Sequence, residues 1–207
     1  MRDQSRQAHW EGVYAEKGES EVSWFQESPA PSLELIARVG ATAASAIIDI
    51  GGGASRLVDN LVQRGFEGVT VLDLSHAALE AAKARLGNSA PQVHWIVADA
   101  TVWEPAKAYD IWHDRAAFHF LTDQHDRAAY VARLSRGLKI GGFAIIATFA
   151  PDGPERCSGL PVVRYDAASL GQAIGHAFQL VDTLRHVHAT PWSSQQFFQF
   201  SVFQRKD

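Results

Sequence analysis

Two acids in this chain close short apolar runs that glycine or a helix start follows. Asp49 sits in Ala46-Ile47-Ile48-Asp49-Ile50, directly before Gly51-Gly52-Gly53. Glycines there let the backbone turn sharply and lie close against a ligand, which a Cβ would obstruct. Asp73 ends Val69-Thr70-Val71-Leu72 and precedes Leu74-Ser75. A carboxylate after a second strand can accept hydrogen bonds from both hydroxyls of a ribose. The dinucleotide fingerprint asks for a further glycine at position 56, where this chain has Arg56. Asp49 narrows the ligand further. A buried acid beside the turn would repel a pyrophosphate, but it suits a ligand that carries an ammonium and a sulfonium.

A third cluster follows Tyr109-Asp110-Ile111-Trp112-His113, where Asp114, Arg115 and His119 crowd one strand end. Three ionisable side chains beside a pocket are unusual for packing alone. His119 is the candidate general base, because the ordinary imidazole pKa lies near 6.5. Asp114 could face a ligand's ammonium. Arg115 has the planar fork that holds a carboxylate, or it could pair with Asp114 or Asp99.

These residues need a frame of strands and helices. The run 46–50 reads as a buried parallel strand, and Leu57, Val58, Leu61 and Val62 after it form one helical face that Gly65 stops. Strands follow at 69–73, 94–98, 109–113 and 143–149. Helices begin near Ser75 and near Thr122 or Asp123, and a further one near Pro31 ends at Gly40. Gly141-Gly142 reads as the turn into the fifth strand. Strands alternating with helices imply right-handed crossovers and a mostly parallel, doubly wound α/β sheet. The chain closes with a helix capped by Asp166 and two strand-like runs, Gln179 to His188 and Gln196 to Gln204. Their short link requires antiparallel pairing. Residues 8–32 carry Trp10, Tyr14, Trp24 and Phe25 without regular pattern, and read as an irregular strap or lid over the pocket.

The totals set the outer bounds. A chain of 207 residues with 46% hydrophobic and 20% charged residues suits one domain, 1–207, with a single core. We divide it into an N-terminal lid and helix (1–40), a ligand-binding core (44–149) and a substrate-side loop, helix and hairpin (150–207). The net charge of −4 provides no electrostatic footprint for nucleic acid or an anionic membrane. One cysteine, Cys157, excludes an internal disulfide. No run approaches the roughly 20 apolar residues of a membrane span, and the polar N-terminus lacks a secretion signal. The expectation is a cytoplasmic monomer or homodimer. His186 and His188 alternate on one strand face, but no third ligand follows at a metal spacing, so no metal site is expected.

The segments also carry a resemblance. Asp49 to Ser55 resembles the glycine motif of class I S-adenosylmethionine-dependent methyltransferases, and Leu72-Asp73-Leu74-Ser75 resembles their ribose-binding motif. Val97-Ala98-Asp99-Ala100 resembles the segment that contacts adenine. Tyr109 to Arg115 resembles the fourth strand, and Leu138 to Phe143 the turn into the fifth. The flanks, His9-Trp10 with Tyr14 and Val22-Ser23-Trp24-Phe25-Gln26, look like a bacterial small-methyltransferase subfamily distantly related to methyltransferase-like protein 12.

The resemblance implies a Rossmann-like fold, a seven-stranded sheet ending in an antiparallel hairpin. It also implies S-adenosylmethionine as cofactor. Asp49, Gly51 and Gly53 would then hold the methionine end, Asp73 and Leu74 the ribose, and Asp99 with the Ala100 amide the adenine. Tyr14 and Trp24 would close the methionine end. Methyl transfer from a sulfonium is an in-line displacement with a neutral leaving group, so it needs alignment more than acid–base chemistry, and alignment can supply ~7–11 kcal/mol of the barrier. The Asp/Asn-Pro-Pro-aromatic segment used on amino groups of bases is missing, since Arg115-Ala116-Ala117 follows Asp114. The expected acceptor is a small molecule and no nucleic acid. A protein-lysine methyltransferase stays open beside it, as does a cofactor-binding protein without methyl transfer. A nicotinamide dehydrogenase is the third rival.

Overall fold

The apolar runs assemble as the core of a seven-stranded sheet in the computed structural model, which describes residues 2–206. In chain order the strands are β1 (Ala46–Ile50), β2 (Gly68–Asp73), β3 (His94–Val97), β4 (Tyr109–Arg115), β5 (Leu138–Phe149), the short β6 (Arg156–Cys157) and β7 (Leu160–Pro161), β8 (Phe178–Ala189) and β9 (Gln195–Arg205). The α-helices are α1 (Arg2–Glu16), α2 (Ala30–Arg38), α3 (Leu57–Gln63), α4 (His76–Leu86), α5 (Gln124–Gly137) and α6 (Ala167–Ile174).

The sheet order is β3-β2-β1-β4-β5-β9-β8. The first five strands run parallel, β9 pairs antiparallel with β5, and β8 at the edge pairs antiparallel with β9. β6 and β7 form a separate two-stranded hairpin. Winding reverses between β1 and β4, so a crevice opens at the carboxyl ends of these two strands.

Helices cover both faces. Leu33, Leu35 and Ile36 of α2, Leu57, Val58 and Leu61 of α3 and Leu79 of α4 pack with Ile47 and Ile111 on one face. Tyr130 and Leu134 of α5 and Leu170 and Ile174 of α6 pack with Ile48, Ile50 and Trp112 on the other. The period of two along a strand therefore sorts neighbouring residues of β1 and β4 onto opposite faces. The caps follow local chemistry. Ser75 accepts the Ala78 N–H at 3.1 Å, Asp123 accepts the His125 N–H at 2.7 Å and Asp166 accepts the Ser169 N–H at 2.7 Å.

Two expectations need correction. Much of the supposed irregular strap is helix: α1 runs through Glu16, and Arg6, Trp10 and Tyr14 recur every four residues along one of its stripes. The fifth strand begins at Leu138 and not at Phe143. Leu138 already pairs with Tyr109, and the register then jumps to Phe143 opposite Ile111. Gly141, with φ of +78°, absorbs that irregularity inside the strand instead of turning into it.

Candidate functional site

The crevice at the switch point holds two cavities that meet. The larger, about 840 Å³ with the space open to solvent included, is lined by the carboxyl ends of β1, β2 and β3 together with one stripe of α1. The smaller, about 530 Å³, lies against Asp49, Gly51, Gly52 and His113. Tyr14, Trp24, Gly51 and Arg115 line both, so an elongated ligand could run from one into the other past Gly51.

The glycine turn is shaped by backbone need. Gly51 has φ of +65°, and a Cβ there would stand 2.8 Å from the Ala117 Cβ. Gly53 has φ of +45°, and its Cβ would come within 3.0 Å of both the Asp73 carboxylate and the Tyr14 hydroxyl. A side chain at either position would fill the approach to the cleft. Asp49 is buried on the smaller cavity, and its Oδ1 lies 2.7 Å from His113 Nδ1.

Asp73 lies buried at the end of β2 and lines the larger cavity with Leu74. Its Oδ1 accepts the Ser75 N–H at 2.8 Å. Burial pushes the carboxyl up to about 7, against the lowering effect of the Ser75 and Gly53 N–H groups. Asp99, beyond β3, accepts the amide and hydroxyl of Thr101 at 2.7 Å on Oδ1, while Oδ2 faces Arg6 at 2.8 Å. Ala98, Asp99, Ala100 and Thr101 all border the larger cavity. The N-terminal helix closes this end. Glu11 of α1 accepts hydrogen bonds from Ser75 Oγ and from the His76 and Ala77 amides at the start of α4, at 2.6–3.1 Å. At the junction, Trp24 Nε1 donates to the Tyr14 hydroxyl at 3.2 Å, and Trp10 packs edge-on to Trp24 and Phe120.

Arg115 is partly buried at the same junction. One nitrogen donates to the Trp24 carbonyl at 2.9 Å, and the guanidinium carbon lies 5.0 Å from the Phe198 ring centre. Its Nε and Nη2 are shielded from solvent and have no hydrogen-bond partner. Burial lowers its pKa to about 10, which leaves it charged at neutral pH.

Two candidates from the sequence lie elsewhere. Asp114 lines neither cavity, because strand alternation turns it to the face opposite His113 and Arg115. It accepts the Ala117 and Phe118 amides and the Tyr130 hydroxyl at 2.6–3.2 Å, and so holds the turn after β4, where Ala116 has φ of +70°. Its oxygens are spent on that turn, so it is not a contact for a ligand's ammonium. His119 is fully buried and also lines neither cavity. Burial pushes the ring down to about 3, its Nε2 has no partner, and Nδ1 accepts only a long 3.4 Å bond from the Phe149 amide. The structure does not bring this candidate base to the cleft.

Cys157, by contrast, is buried on the larger cavity, with its thiol pushed up to about 12 by burial. Arg6 was missed from the sequence, although its four-residue spacing from Trp10 and Tyr14 was the available signal. Among the described residues, no group of three or more His, Cys, Asp or Glu is placed to hold a metal ion, and no helix is long and apolar enough to cross a membrane.

Residues 47–142 match the family model described as a methyltransferase domain. Over 132 residues the chain is 33% identical to the trans-aconitate 2-methyltransferase of Rhizobium rhizogenes, covering 63% of this chain and 48% of that protein. The chain thus spans about half the length of the curated relatives it matches. Among solved structures, it superposes with a TM-score of 0.76 on a protein of echinomycin biosynthesis associated with conversion of a disulfide bond into a thioacetal group. That match has 19% identity and covers 97% of this chain and 93% of the other. Burkholderia thailandensis 1,6-didemethyltoxoflavin N1-methyltransferase, solved with bound 1,6-didemethyltoxoflavin and S-adenosylhomocysteine, gives a TM-score of 0.67 at 20% identity, covering 86% of this chain and 78% of the other. At these identities the structural likeness concerns the fold.

Proposed function

We propose that this chain is a class I methyltransferase that uses S-adenosylmethionine to methylate a small-molecule acceptor, a reading that the match of residues 47–142 to a methyltransferase domain supports. The observation that carries the reading is the succession of acids along one crevice, Asp49, Asp73 and Asp99 at the ends of β1, β2 and β3. The cofactor supplies an electrophilic methyl group on a sulfonium, whose departure as a neutral thioether needs no acid. Asp49 with the open glycine turn would hold its cationic amino-acid end, and Asp73 would accept from the ribose hydroxyls. Asp99 and the Ala100 amide would read the adenine edge. Tyr14, Trp24 and α1 would exclude water from the junction.

The acceptor is best read as a small carboxylate. The Cys157 thiol and the Tyr14 hydroxyl are held protonated by burial, so neither serves as a base for an amine or a hydroxyl. An acceptor already ionised in water needs no such help. Arg115 offers it a guanidinium that donates to the Trp24 carbonyl through one nitrogen, while its Nε and Nη2 have no partner. The trans-aconitate methyltransferases among its relatives support the same class.

Calorimetry with S-adenosylhomocysteine, against NADH as control, tests the cofactor. A labelled-methyl assay on di- and tricarboxylates, amines, thiols and lysine-bearing proteins then tests the acceptor. Selective labelling of carboxylates is expected. Labelling of protein lysines would replace this reading with a protein methyltransferase, and binding without any product would replace it with a sensor of the cofactor.

A further inference from the structure

One buried chain of hydrogen bonds stands behind Asp49, and the function proposed above gives its other two members no role. Ser32 Oγ lies 2.8 Å from His113 Nε2, and His113 Nδ1 lies 2.7 Å from Asp49 Oδ1. All three side chains are buried, at 1%, 2% and 3% exposure. The parallel register of β1 and β4 sets Asp49 directly beside His113 on one face of the sheet, and α2 brings Ser32 down onto that face.

The order serine, histidine, aspartate is that of a hydrolase triad, but the placement is not. Ser32 is sealed at the start of α2 and lines neither cavity, so its hydroxyl cannot meet a substrate. Asp49 and His113 both line the smaller cavity, and Asp49 stands at the end of the chain away from the serine. The chain therefore ends at the ligand with the acid, and the serine is its anchor in the core.

We infer that His113, anchored by Ser32, is a positioning residue that holds Asp49 ready for the ammonium of the cofactor's amino-acid tail. The inference rests on the cofactor reading above. A neutral imidazole with its proton on Nδ1 donates to Asp49 and accepts the Ser32 hydroxyl at Nε2, so both ring nitrogens are satisfied by one tautomer. This arrangement needs no charge on the ring. Oδ1 is pinned, and Oδ2 is directed at the glycine turn, where a Cβ on Gly52 would lie 2.6 Å from it. A buried carboxylate with no donor would take up a proton or swing to another rotamer, and either change removes the attraction for an ammonium. The relay thereby tunes the smaller cavity to ligands with a cationic tail and leaves the adenosine end untouched.

The test compares two ligands in calorimetry. S-adenosylhomocysteine carries the amino-acid tail, and 5′-methylthioadenosine has the same adenosine and thioether without it. We expect His113→Ala to weaken S-adenosylhomocysteine about tenfold and to change 5′-methylthioadenosine by less than about twofold. His113→Asn keeps an N–H donor near the place of Nδ1 and should restore most of the lost affinity. Ser32→Ala should reproduce the selective loss at about threefold, and it carries the test if His113→Ala does not fold. Equal losses for both ligands, or no loss in a folded variant, overturn the inference. Wild-type protein that binds 5′-methylthioadenosine as tightly as S-adenosylhomocysteine also overturns it. Wild-type protein that binds neither ligand overturns the cofactor reading itself.

Discussion

Arg6 Nη2 on α1 stands 2.8 Å from Asp99 Oδ2 beyond β3, so the N-terminal helix closes onto the acid proposed to read adenine. The same guanidinium reaches Asp126 on α5 at 3.3 Å. Arg6 thus ties the lid to both sides of the larger cavity. Removing it should loosen the lid without disturbing the core, because Glu11 still docks α1 on the start of α4. We expect Arg6→Ala to speed S-adenosylhomocysteine release about fivefold, equivalent to ~1 kcal/mol for a partly exposed pair. Stopped-flow displacement measures this, and the gap to wild type should narrow as salt screens the pair. Identical release rates at low salt would mean that the lid does not depend on this contact.

Asp73 makes binding pH-dependent. In the ligand-free protein its carboxyl is raised by burial to about 7, against about 3.9 in an unfolded chain. The folded form therefore keeps a proton that the unfolded form has released. Its contribution to stability is full below about pH 4 and is lost as pH rises through 7. The Tm of wild type should fall relative to Asp73→Asn over that window. Ribose hydroxyls donate to the anion, so S-adenosylhomocysteine affinity should climb up to about tenfold between pH 6 and pH 8. The Asn variant should flatten that climb, and Asp73→Ala should weaken binding by roughly 1.5–3 kcal/mol. A flat pH profile in wild type would contradict the ribose assignment.

Arg115 should trade stability against turnover. Its Nε and Nη2 are shielded and unpartnered, so they bring desolvation without compensation. Replacement by Met keeps the stem beside Phe198 and removes the charge. Arg115→Met should leave Tm unchanged or raise it by a few degrees, while turnover on a carboxylate acceptor falls at least ~100-fold. Thermal melts and initial rates on one preparation decide the matter. A large loss of Tm would make Arg115 a structural ion, held for the Trp24 loop.

His119 should be silent in the pH profile of the reaction. The ring stays neutral because burial holds its pKa near 3, and it packs against Phe120 and Phe149. His119→Phe preserves the ring volume and removes the unpartnered Nε2. Stability should shift by no more than about 1 kcal/mol, and the rate profile between pH 6 and pH 8 should superpose on that of wild type. A profile that loses an ionisation in the variant would restore His119 as a base.

What could be read along the chain was local or periodic. The apolar run at 46–50, the glycines after it and the helix after Ser75 declare themselves by residue type, because a buried strand, a positive φ and an N-cap each tolerate few substitutes. The acids at 49, 73 and 99 mark the carboxyl ends of their strands for the same reason. Helix α1 is less legible, because its run is largely polar and carries Gly12, although Arg6, Trp10 and Tyr14 keep a helical interval.

What could not be read depends on which face a residue takes and on what crosses from elsewhere. Asp114 and Arg115 are neighbours in the chain, yet the pleat sends one to Tyr130 in the core and the other to the cleft. Nothing local distinguishes the two carboxylates at 49 and 114 until the β1–β4 register sets His113 beside the first. His119 has the composition of a catalytic base, and only packing around Phe149 seals it away. The linear order of residues determined the frame and the class of ligand it could hold, because strand, turn and cap preferences act over a few residues. Burial, partner and charge state at each ionisable group were decided by contacts between segments distant in the chain, since desolvation and pairing exist only once those segments meet.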